Sequence, residues 1–419
     1  MNNSFNQKET EEQKDTPFIL ARPYHNLSRK LIDPDALTVL YRLKNAGYIA
    51  YLVGGAVRDI LLGITPKDFD VATDAHPKQV RKLFKNCYLV GRRFRLAHIY
   101  FGKKIIETAT FRRDPIQSQE NLNTAQFYVG HIHENTFGTP REDAFRRDFT
   151  INGLFYDIKT FCIIDYVNGI RDIKLQLVRS IGAPDIRYRE DPVRMLRAIR
   201  LAARLNFQIE NETSEAIYRN HQYINMVSMA RLNEEIYKLF YQGCSVSIFR
   251  MLCEYNLFSQ LFPNIGKIIS QQNTIREQLM KYLDALDLML KEGLSLTPEI
   301  IIGLIYLAPF LHDMQTGEKK YQNNKHYSAN IASKYLKPFF IKYSASKIVY
   351  HRLINIYSNI FFLRDKKYLF YKQQKCKDWL WHAIMLINIQ MMAEKRVDTE
   401  WDKCWRKICS LHHPSIKVK

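Results

Sequence analysis

The stretch Tyr51–Asp74, YLVGGAVRDILLGITPKDFDVATD, constrains the fold of this chain more than any other part of it. It begins with an apolar run that ends at the pair Gly54-Gly55, which is typical of a buried strand entering a turn. A short helix over 56–62 is predicted next, with Gly63 in the C-cap position. The stretch therefore predicts a strand, a glycine turn, a helix, a second turn and a second strand.

The glycine turn is a candidate phosphate site. Two glycines ahead of a helix N-terminus leave backbone N–H groups directed at a space that suits an anion, and the helix dipole favours negative charge there. Arg58 lies in the first turn of the helix and can add a cation to the same space. Gly54, Gly55 and Arg58 are therefore predicted to bind the phosphates of a nucleotide.

Asp68 and Asp70 are candidate metal ligands. If 67–71 is a strand, the two carboxylates share one face and lie about 6–7 Å apart. That spacing suits one or two divalent cations, and Mg²⁺ often lies between carboxylates and nucleotide phosphates. The alternative is an exposed strand with two solvated aspartates. The glycine turn that precedes them favours the metal site.

Glu107 is the candidate third carboxylate. It is the only acid in a predicted strand over 104–111, which could pair antiparallel beside the strand of Asp68 and Asp70. Three carboxylates around two metals are a common arrangement for in-line phosphoryl transfer. The alternative is a strand glutamate that faces solvent.

The composition favours a nucleic-acid partner and excludes several other classes. Among 419 residues, Lys and Arg total 62 against 42 acidic residues, a net charge of +20 that favours a polyanion. The seven cysteines contain no C-x-x-C pair, so neither a zinc site nor a disulfide framework is predicted. The sequence shows no secretory signal, and its longest apolar run, 300–311, is too short to span a bilayer. A soluble, cytoplasmic protein with no membrane partner is expected.

Three blocks resemble one family. They are the glycine–aspartate stretch, RRDFTIN at 146–152 and EDPVRMLRAIR at 190–200. Together they are similar to the class II branch of the nucleotidyltransferase superfamily, which holds bacterial poly(A) polymerases and CCA-adding enzymes. The resemblance implies ATP as substrate and Mg²⁺ held by Asp68, Asp70 and Glu107.

The second block contributes Arg147 and Asp148. Its arginines can meet phosphate, and the resemblance places Asp148 near a ribose 2′-hydroxyl, which would favour ribonucleotides. On chemistry alone, Asp148 could equally be a structural partner of a neighbouring arginine. Whether it contacts the ribose or belongs to the catalytic metal site stays open.

The third block contributes Asp191, Arg194 and Arg197. An aspartate accepts a hydrogen bond from an exocyclic amine, and an arginine donates to a ring nitrogen. Adenine and cytosine present that pair of groups, whereas guanine and uracil present the reverse, so Asp191 and Arg194 can select ATP and CTP without a template. They cannot by themselves separate the two. The alternative is a capped helix with a salt bridge between residues three apart.

The segment LFKNCYLVGRRFRLAH, Leu83–His98, resembles bacterial poly(A) polymerases more than CCA-adding enzymes. The predicted function is template-independent addition of AMP to RNA 3′ ends with release of pyrophosphate, in mRNA processing that promotes RNA decay. Addition of CCA or its terminal A to tRNA is one alternative, and a non-catalytic RNA-binding protein is another. The expected partners are RNA 3′ ends and RNA-decay proteins. The protein itself is expected to be a monomer.

The predicted fold class is α+β. A nucleotidyltransferase head with a small mixed sheet of two to four strands precedes an all-α neck and body, because strand-like runs almost vanish beyond Pro184. The predicted boundaries are a disordered segment at 1–22, the head at 23–182, the neck at 183–265 and the body at 266–419. The neck and body are expected to bind RNA.

Overall fold

A computed structural model describes residues 16–91, 96–113, 136–293, 295–317, 324–374 and 379–396. The chain forms two compact units, Met1–Arg194 with Asn206–Ala216 and Met195–Leu205 with Ile217–Lys419. The first unit contains a sheet with helices, and the second is helical wherever it is described. The predicted α+β class, a mixed head followed by an all-α remainder, is confirmed. The finer division into neck and body stays a prediction.

The first unit is built on an eight-stranded sheet with the order β1-β10-β9-β2-β3-β6-β5-β4. Only β3 and β6 pair in parallel, and the other neighbours are antiparallel. The strands are β1 (Phe18–Leu20), β2 (Ala50–Val53), β3 (Asp70–Thr73), β4 (Cys87–Val90), β5 (Leu96–Phe101), β6 (Lys104–Thr110), β9 (Leu154–Asp157) and β10 (Cys162–Asp165). The sheet is larger than predicted, because strands of three or four residues are too short for their alternation to be recognised.

Two small ribbons, eight α-helices and three short 3₁₀ helices complete the described part of the first unit. The ribbons pair β7 (Arg112–Arg113) with β8 (Thr136–Phe137) and β11 (Leu177–Val178) with β12 (Gln208–Ile209). The helices are α1 (Pro34–Asn45), α2 (Gly55–Leu61), α3 (Pro77–Leu83), α4 (Pro140–Phe145), α5 (Gly169–Leu175), α6 (Pro184–Glu190), α7 (Val193–Leu205) and α8 (Asn211–Asn220), of which α7 and α8 have residues in both units.

Both faces of the sheet carry buried side chains. One face packs on α1, α2 and α3 through an aliphatic core that includes Val39, Val57, Val71, Ile99 and Ile106. A second, smaller core covers the other face where β2, β3, β9 and β10 run. It contains Val53, Ala72, Phe111, Phe155 and Ile164. The face that carries this second core is also the face of Asp70, because Asp70 and Ala72 are two residues apart on β3.

The predicted disorder at 1–22 is wrong from Phe18 onward. Phe18–Leu20 form an edge strand that pairs with β10, and Arg22–Tyr24 form a 3₁₀ helix. The apolar triplet at 18–20 gains backbone hydrogen bonds at the open edge of β10, which overrides the polar composition around it. Residues 1–15 lie outside the described residues.

The second unit is a helical assembly with a strongly aromatic core. Phe262 and Phe339 stack with their ring centroids 5.7 Å apart, and Phe310 lies 4.5 Å from Tyr357. Its further helices are α9 (Met229–Phe240), α10 (Ser245–Glu254), α11 (Leu257–Leu261), α12 (Pro263–Gln271), α13 (Asn273–Lys291), α14 (Pro298–Thr316), α15 (Lys325–Lys342), α16 (Lys347–Gln374) and α17 (Leu380–Ala393). No helix in the described ranges is both long and apolar enough to cross a membrane.

The turn between β10 and α5 is held by one buried carboxylate. Asp165 accepts hydrogen bonds from the backbone N–H groups of Val167, Gly169 and Ile170 at 2.9–3.0 Å. Burial raises the pKa of Asp165, and these backbone donors oppose the shift. A Cβ at Gly169 would lie 2.3 Å from the carbonyl oxygen of Thr150, so the turn also fixes the 3₁₀ helix Thr150–Asn152.

We expect Asp165→Ala to lower the free energy of unfolding by about 2–4 kcal/mol, because buried N–H groups lose their acceptor. Asp165→Asn should lose less, since its amide oxygen still accepts. Chemical denaturation followed by circular dichroism measures both variants. Equal stability of Asp165→Ala and the unmodified protein would contradict this account of the turn.

Candidate active site

Asp70 and Glu107 lie side by side at one end of the sheet. Asp70 is the first residue of β3 and pairs with Val53, the last residue of β2. On its other side, Val71 pairs with Thr108 of β6, which places Glu107 next to Asp70. The structure therefore brings together two of the three predicted carboxylates. The antiparallel arrangement expected for them is wrong, because β3 and β6 run parallel.

Asp68 lies ahead of the strand and not in it. The predicted strand over 67–71 begins only at Asp70, because β2 ends at Val53 and the chain turns away at Gly54. Asp68 precedes β3, and its exposed side chain belongs to the connection before this strand. Its charge still contributes to the potential at Asp70.

The surroundings of the Asp70 carboxyl group disfavour its ionised form. Solvent reaches its side chain, yet protein atoms surround most of it. This burial, together with repulsion from Glu107 and Asp68, raises the pKa of Asp70 to about 6, and attraction to Arg147 opposes the shift. Accumulated negative charge of this kind would be relieved by a bound cation.

The chemistry of these groups fits Mg²⁺. Asp68, Asp70 and Glu107 offer hard oxygen ligands, and Mg²⁺ commonly uses one or two carboxylates and completes its shell with water and phosphate oxygens. Within the described ranges, no group of three or more His, Cys, Asp or Glu side chains is close enough to hold a metal ion by itself. The arrangement therefore suits a metal that binds with a nucleotide.

The glycine turn has the backbone geometry that only glycine adopts easily. Gly54 has φ +70° and ψ −131°, and its N–H donates to the carbonyl oxygen of Leu154 at 3.1 Å. A Cβ at Gly54 would lie 3.0 Å from Nη1 of Arg147. Gly55 begins α2, one residue before the predicted start of the helix. The turn thus brings Arg147, whose charge attracts the carboxylate of Asp70, against the backbone.

Arg58 belongs to a buried polar network. Its Nε and Nη2 atoms donate to Oδ1 of Asp59 at 2.8 and 2.6 Å, and its Nη1 donates to Oδ1 of Asn152. Asn152 in turn donates to Oδ1 of Asp148 at 3.0 Å. The guanidinium of Arg58 therefore links the first and second sequence blocks. Its predicted contact with a triphosphate stays a prediction.

Arg147 and Asp148 are positioned by their own segment. Arg147 donates to Oδ2 of Asp143 at 2.9 and 3.2 Å and to the carbonyl oxygen of Asn152 at 3.3 Å. Oδ1 of Asp148 accepts from the N–H of Phe149 at 2.9 Å as well as from Asn152. Asp148 is half-buried, so part of its carboxylate surface faces solvent.

The base-reading pair predicted from sequence lies at the start of α7. Oδ1 of Asp191 accepts from the N–H of Val193 at 3.3 Å. Arg194 donates to Oε2 of Glu190 at 3.2 Å and to the carbonyl oxygen of Arg187 at 3.0 Å. The ion pair that holds Arg194 is thus formed with Glu190, four residues away, rather than within the predicted pair.

Arg197 belongs to the second unit, where its Nη2 lies 3.7 Å from Oε1 of the buried Glu235. Arg200 donates to the other oxygen of Glu235 at 3.1 Å. Glu235 was not identified from the sequence, because its partners come from a distant helix.

Asp59, Asp143 and Asn152 were also missed. Each positions a predicted site residue through the hydrogen bonds above. Asn152 ends the RRDFTIN block and Asp143 precedes Arg147 by four residues, a helical spacing at which opposite charges commonly pair. Those two could have been found. The pair Arg58–Asp59 joins adjacent residues, which helical spacing does not predict.

Two family models match segments of this chain. The family described as "Poly A polymerase head domain" matches residues 50–179. The family described as "Probable RNA and SrmB- binding site of polymerase A" matches residues 206–268.

Two curated relatives are poly(A) polymerases. Poly(A) polymerase I of Escherichia coli O6:H1 is 46% identical over 304 residues, which cover 71% of this chain and 65% of that protein. The match therefore spans slightly less than two thirds of its length. Poly(A) polymerase I of Haemophilus influenzae is 37% identical over 305 residues, which cover 72% of this chain and 68% of that protein.

The fold is shared with solved CCA-adding enzymes. The crystal structure of the Bacillus stearothermophilus CCA-adding enzyme in complex with CTP has a TM-score of 0.67. It is 24% identical in sequence, and the match covers 91% of this chain and 84% of that chain. At this identity the likeness concerns the fold alone.

We expect Asp70→Asn to raise the melting temperature by about 2–4 °C at pH 8 without divalent cations. This magnitude allows for the screening of the exposed carboxylate by solvent. The raised pKa means that the folded state disfavours the ionised Asp70, so the unmodified protein loses stability as the pH rises from about 4 to 6. The gain should vanish at pH 4. Differential scanning calorimetry at both pH values measures it.

Asp35→Asn is the matched control, because Asp35 is a carboxylate of the same unit that is paired with Lys104 at 2.8 Å. It should show no gain at pH 8. Equal melting temperatures for Asp70→Asn and the unmodified protein at pH 8 would refute the repulsion described for Asp70.

Proposed function

The chain belongs to the poly(A) polymerase family, and on this premise we propose that it adds AMP from ATP to RNA 3′ ends without a template, releasing pyrophosphate. The proposal makes it a polynucleotide adenylyltransferase. The observation that carries it is the placement of Asp70 and Glu107 side by side, next to a glycine turn and an arginine.

Asp68, Asp70 and Glu107 are the proposed ligands of Mg²⁺. When bound, such a metal activates the attacking hydroxyl and offsets the charge of the triphosphate and the leaving pyrophosphate. The turn at Gly54 and Gly55, with Arg58 and Arg147 beside it, is proposed to receive the triphosphate. Arg147 is the best supported of these arginines, because its charge acts on Asp70 and its guanidinium lies against Gly54.

The nucleoside of ATP is proposed to be bound by Asp148, Asp191 and Arg194. The Oδ1 atom of Asp148 accepts hydrogen bonds from the N–H of Phe149 and from Asn152, and this fixed carboxylate supports the proposed contact with a ribose hydroxyl. Glu190 holds Arg194 in a fixed position, which suits recognition of a base edge at low entropic cost. Arg197 is proposed to assist as a further cation.

RNA binding is proposed to involve the second unit. The match to an RNA-binding family at 206–268 and the net charge of +20 support this. Phosphate contacts of this kind weaken as salt rises. We further propose a cytoplasmic role in mRNA processing, in which tailing promotes RNA decay together with decay proteins.

Addition of CCA, or of its terminal A, to tRNA is the second candidate. The shared fold with a CCA-adding enzyme favours it, as does the inability of Asp191 and Arg194 to separate adenine from cytosine by hydrogen bonding alone. The higher identity to poly(A) polymerases weighs against it.

We expect purified protein with Mg²⁺ to extend an unstructured oligoribonucleotide with ATP into long tails, and to use CTP, GTP and UTP poorly. The assay supplies each nucleotide separately, on the plain oligomer and on tRNA that lacks its CCA end. Products that stop after one to three nucleotides and form only on tRNA would favour the second candidate. Absence of any product would favour a non-catalytic RNA-binding protein.

Asp70→Ala should reduce the extension rate by a factor on the order of 10³, because the reaction loses several kcal/mol of charge stabilisation at the metal. Asp35→Ala removes a carboxylate that the structure places on α1, and it should extend RNA at a near-normal rate. Circular dichroism verifies that both variants are folded. Normal activity of a folded Asp70→Ala protein would remove Asp70 from the site.

A further inference from the structure

The sheet face that carries Asp70 is divided into a covered half and an open half. The second core, which includes Val53, Phe111 and Phe155, covers it over β2, β9 and β10. On the opposite side of Asp70, strands β6, β5 and β4 continue the same face, and the described residues form no such core there. Their other face is buried against α1 and α3 in the first core.

A single cross-strand row leads from Asp70 to the edge of the sheet. Glu107 lies beside Asp70, His98 is the antiparallel partner of Glu107, and Tyr88 is the antiparallel partner of His98. Nε2 of His98 lies 3.8 Å from Oε1 of Glu107, so these side chains share one face. Tyr100 follows two residues after His98 and points the same way.

The open half presents aromatic side chains to solvent. Tyr88 is 65% exposed, and its ring contacts Tyr100 edge-on with centroids 5.4 Å apart. The ring centroids of His98 and Tyr100 lie 6.5 Å apart. Ile105, the cross-strand partner of Tyr100, is 40% exposed. We call Tyr88, His98, Tyr100 and Ile105 the aromatic platform. Exposed aromatic rings on a sheet are one of the common ways in which proteins stack the bases of single-stranded RNA.

We infer that the aromatic platform binds the last few nucleotides of the RNA primer by stacking, with Tyr88 as its principal residue. The inference rests on the proposed function and deepens it. The 3′-hydroxyl must reach Asp70 and Glu107, so the nucleotides behind it must lie on a surface continuous with these residues. The aromatic platform adjoins Glu107 directly through His98.

The dimensions agree with this assignment. Strands are spaced about 4.8 Å apart, so Tyr88, three strands from Asp70, is about 14 Å away. Stacked nucleotides advance about 3.4 Å each, and extended ones advance about twice that. Tyr88 would therefore meet a base two to four nucleotides behind the reacting end. Stacking tolerates any base, which suits an enzyme that extends unrelated RNAs.

A purely structural role for Tyr88 is the competing explanation, since cross-strand aromatic pairs stabilise sheet edges. Three variants separate the two. Tyr88→Ala removes the ring, and Tyr88→Phe keeps the ring while removing the hydroxyl. Tyr24→Ala is the matched control, because Tyr24 is 78% exposed and follows β1 at the opposite edge of the same sheet.

RNA affinity is measured on the full chain by fluorescence anisotropy of a labelled oligoadenylate, with Mg²⁺ and without ATP. We expect Tyr88→Ala to weaken binding on the order of tenfold, and Tyr88→Phe and Tyr24→Ala to stay within about twofold of the unmodified protein. In extension assays, the KM for RNA should rise by the same factor in Tyr88→Ala, while the KM for ATP and the kcat at saturating RNA stay within about twofold.

An oligomer with an abasic nucleotide two to four positions from its 3′ end provides the sharper test. At the position that faces Tyr88, the abasic substitution should weaken binding to the unmodified protein as much as Tyr88→Ala does. It should weaken binding to Tyr88→Ala no further. A merely structural role would leave the two losses independent.

The inference would be overturned by equal RNA affinity of Tyr88→Ala and Tyr24→Ala, or by additive losses at every abasic position. Equal affinity of the two variants would instead favour a protein partner as the ligand of this face. The measurements of RNA affinity do not require catalysis. If the unmodified protein extends no RNA, the proposed function fails by itself. A selective loss in Tyr88→Ala would then still support a stacking surface for RNA.

Discussion

The hydrogen-bond register of β2 against β3 is the constraint on which the candidate active site depends. It pairs Val53 with Asp70, so that one strand ends where the other begins. Beyond this pair the chain must turn at once, and Gly54 does so with a positive φ that a side chain would strain. A slip of one residue would move the Asp70 side chain to the opposite face, away from Glu107. The turn and the carboxylate therefore depend on a single backbone register.

A buried polar network then fixes the two sequence blocks against each other. Arg58 is almost fully buried, and a guanidinium in that environment requires several acceptors. Asp59 neutralises its charge, and Asn152 connects it to Asp148. Because breaking one partner would leave a buried charge without compensation, the network keeps the second block in register with the glycine turn before any ligand binds. Preorganisation of this kind lowers the cost of binding a nucleotide.

Local patterns predicted the parts of the site that depend on local geometry. The glycine turn and the helix after it follow from residue types at fixed spacing, and the structure has both, with the helix shifted by one residue from the predicted bounds. The parallel pairing of β3 with β6 could not be predicted, because strand order depends on contacts between distant segments. The same limit applies to Glu235 and to the edge strand Phe18–Leu20. Arg58 was predicted to face an open space because its position in the helix is visible in the sequence, whereas its burial against Asn152 is not.

The uneven covering of the sheet connects its architecture to the proposed extension of RNA. A sheet face packed along its whole length would bury Asp70 and Glu107 beneath side chains, and no RNA end could reach them. Among the residues that the structure describes, the second core covers the face only up to β3, which supports the carboxylates from one side. The side toward β4 instead exposes Tyr88, with Tyr100 and His98 partly buried beside it. In the proposed reaction each added nucleotide becomes the next primer end, so a surface that binds the primer must accept the product as readily as the starting RNA. Contacts through the faces of bases meet that requirement, whereas hydrogen bonds to base edges would restrict the sequence that could be extended.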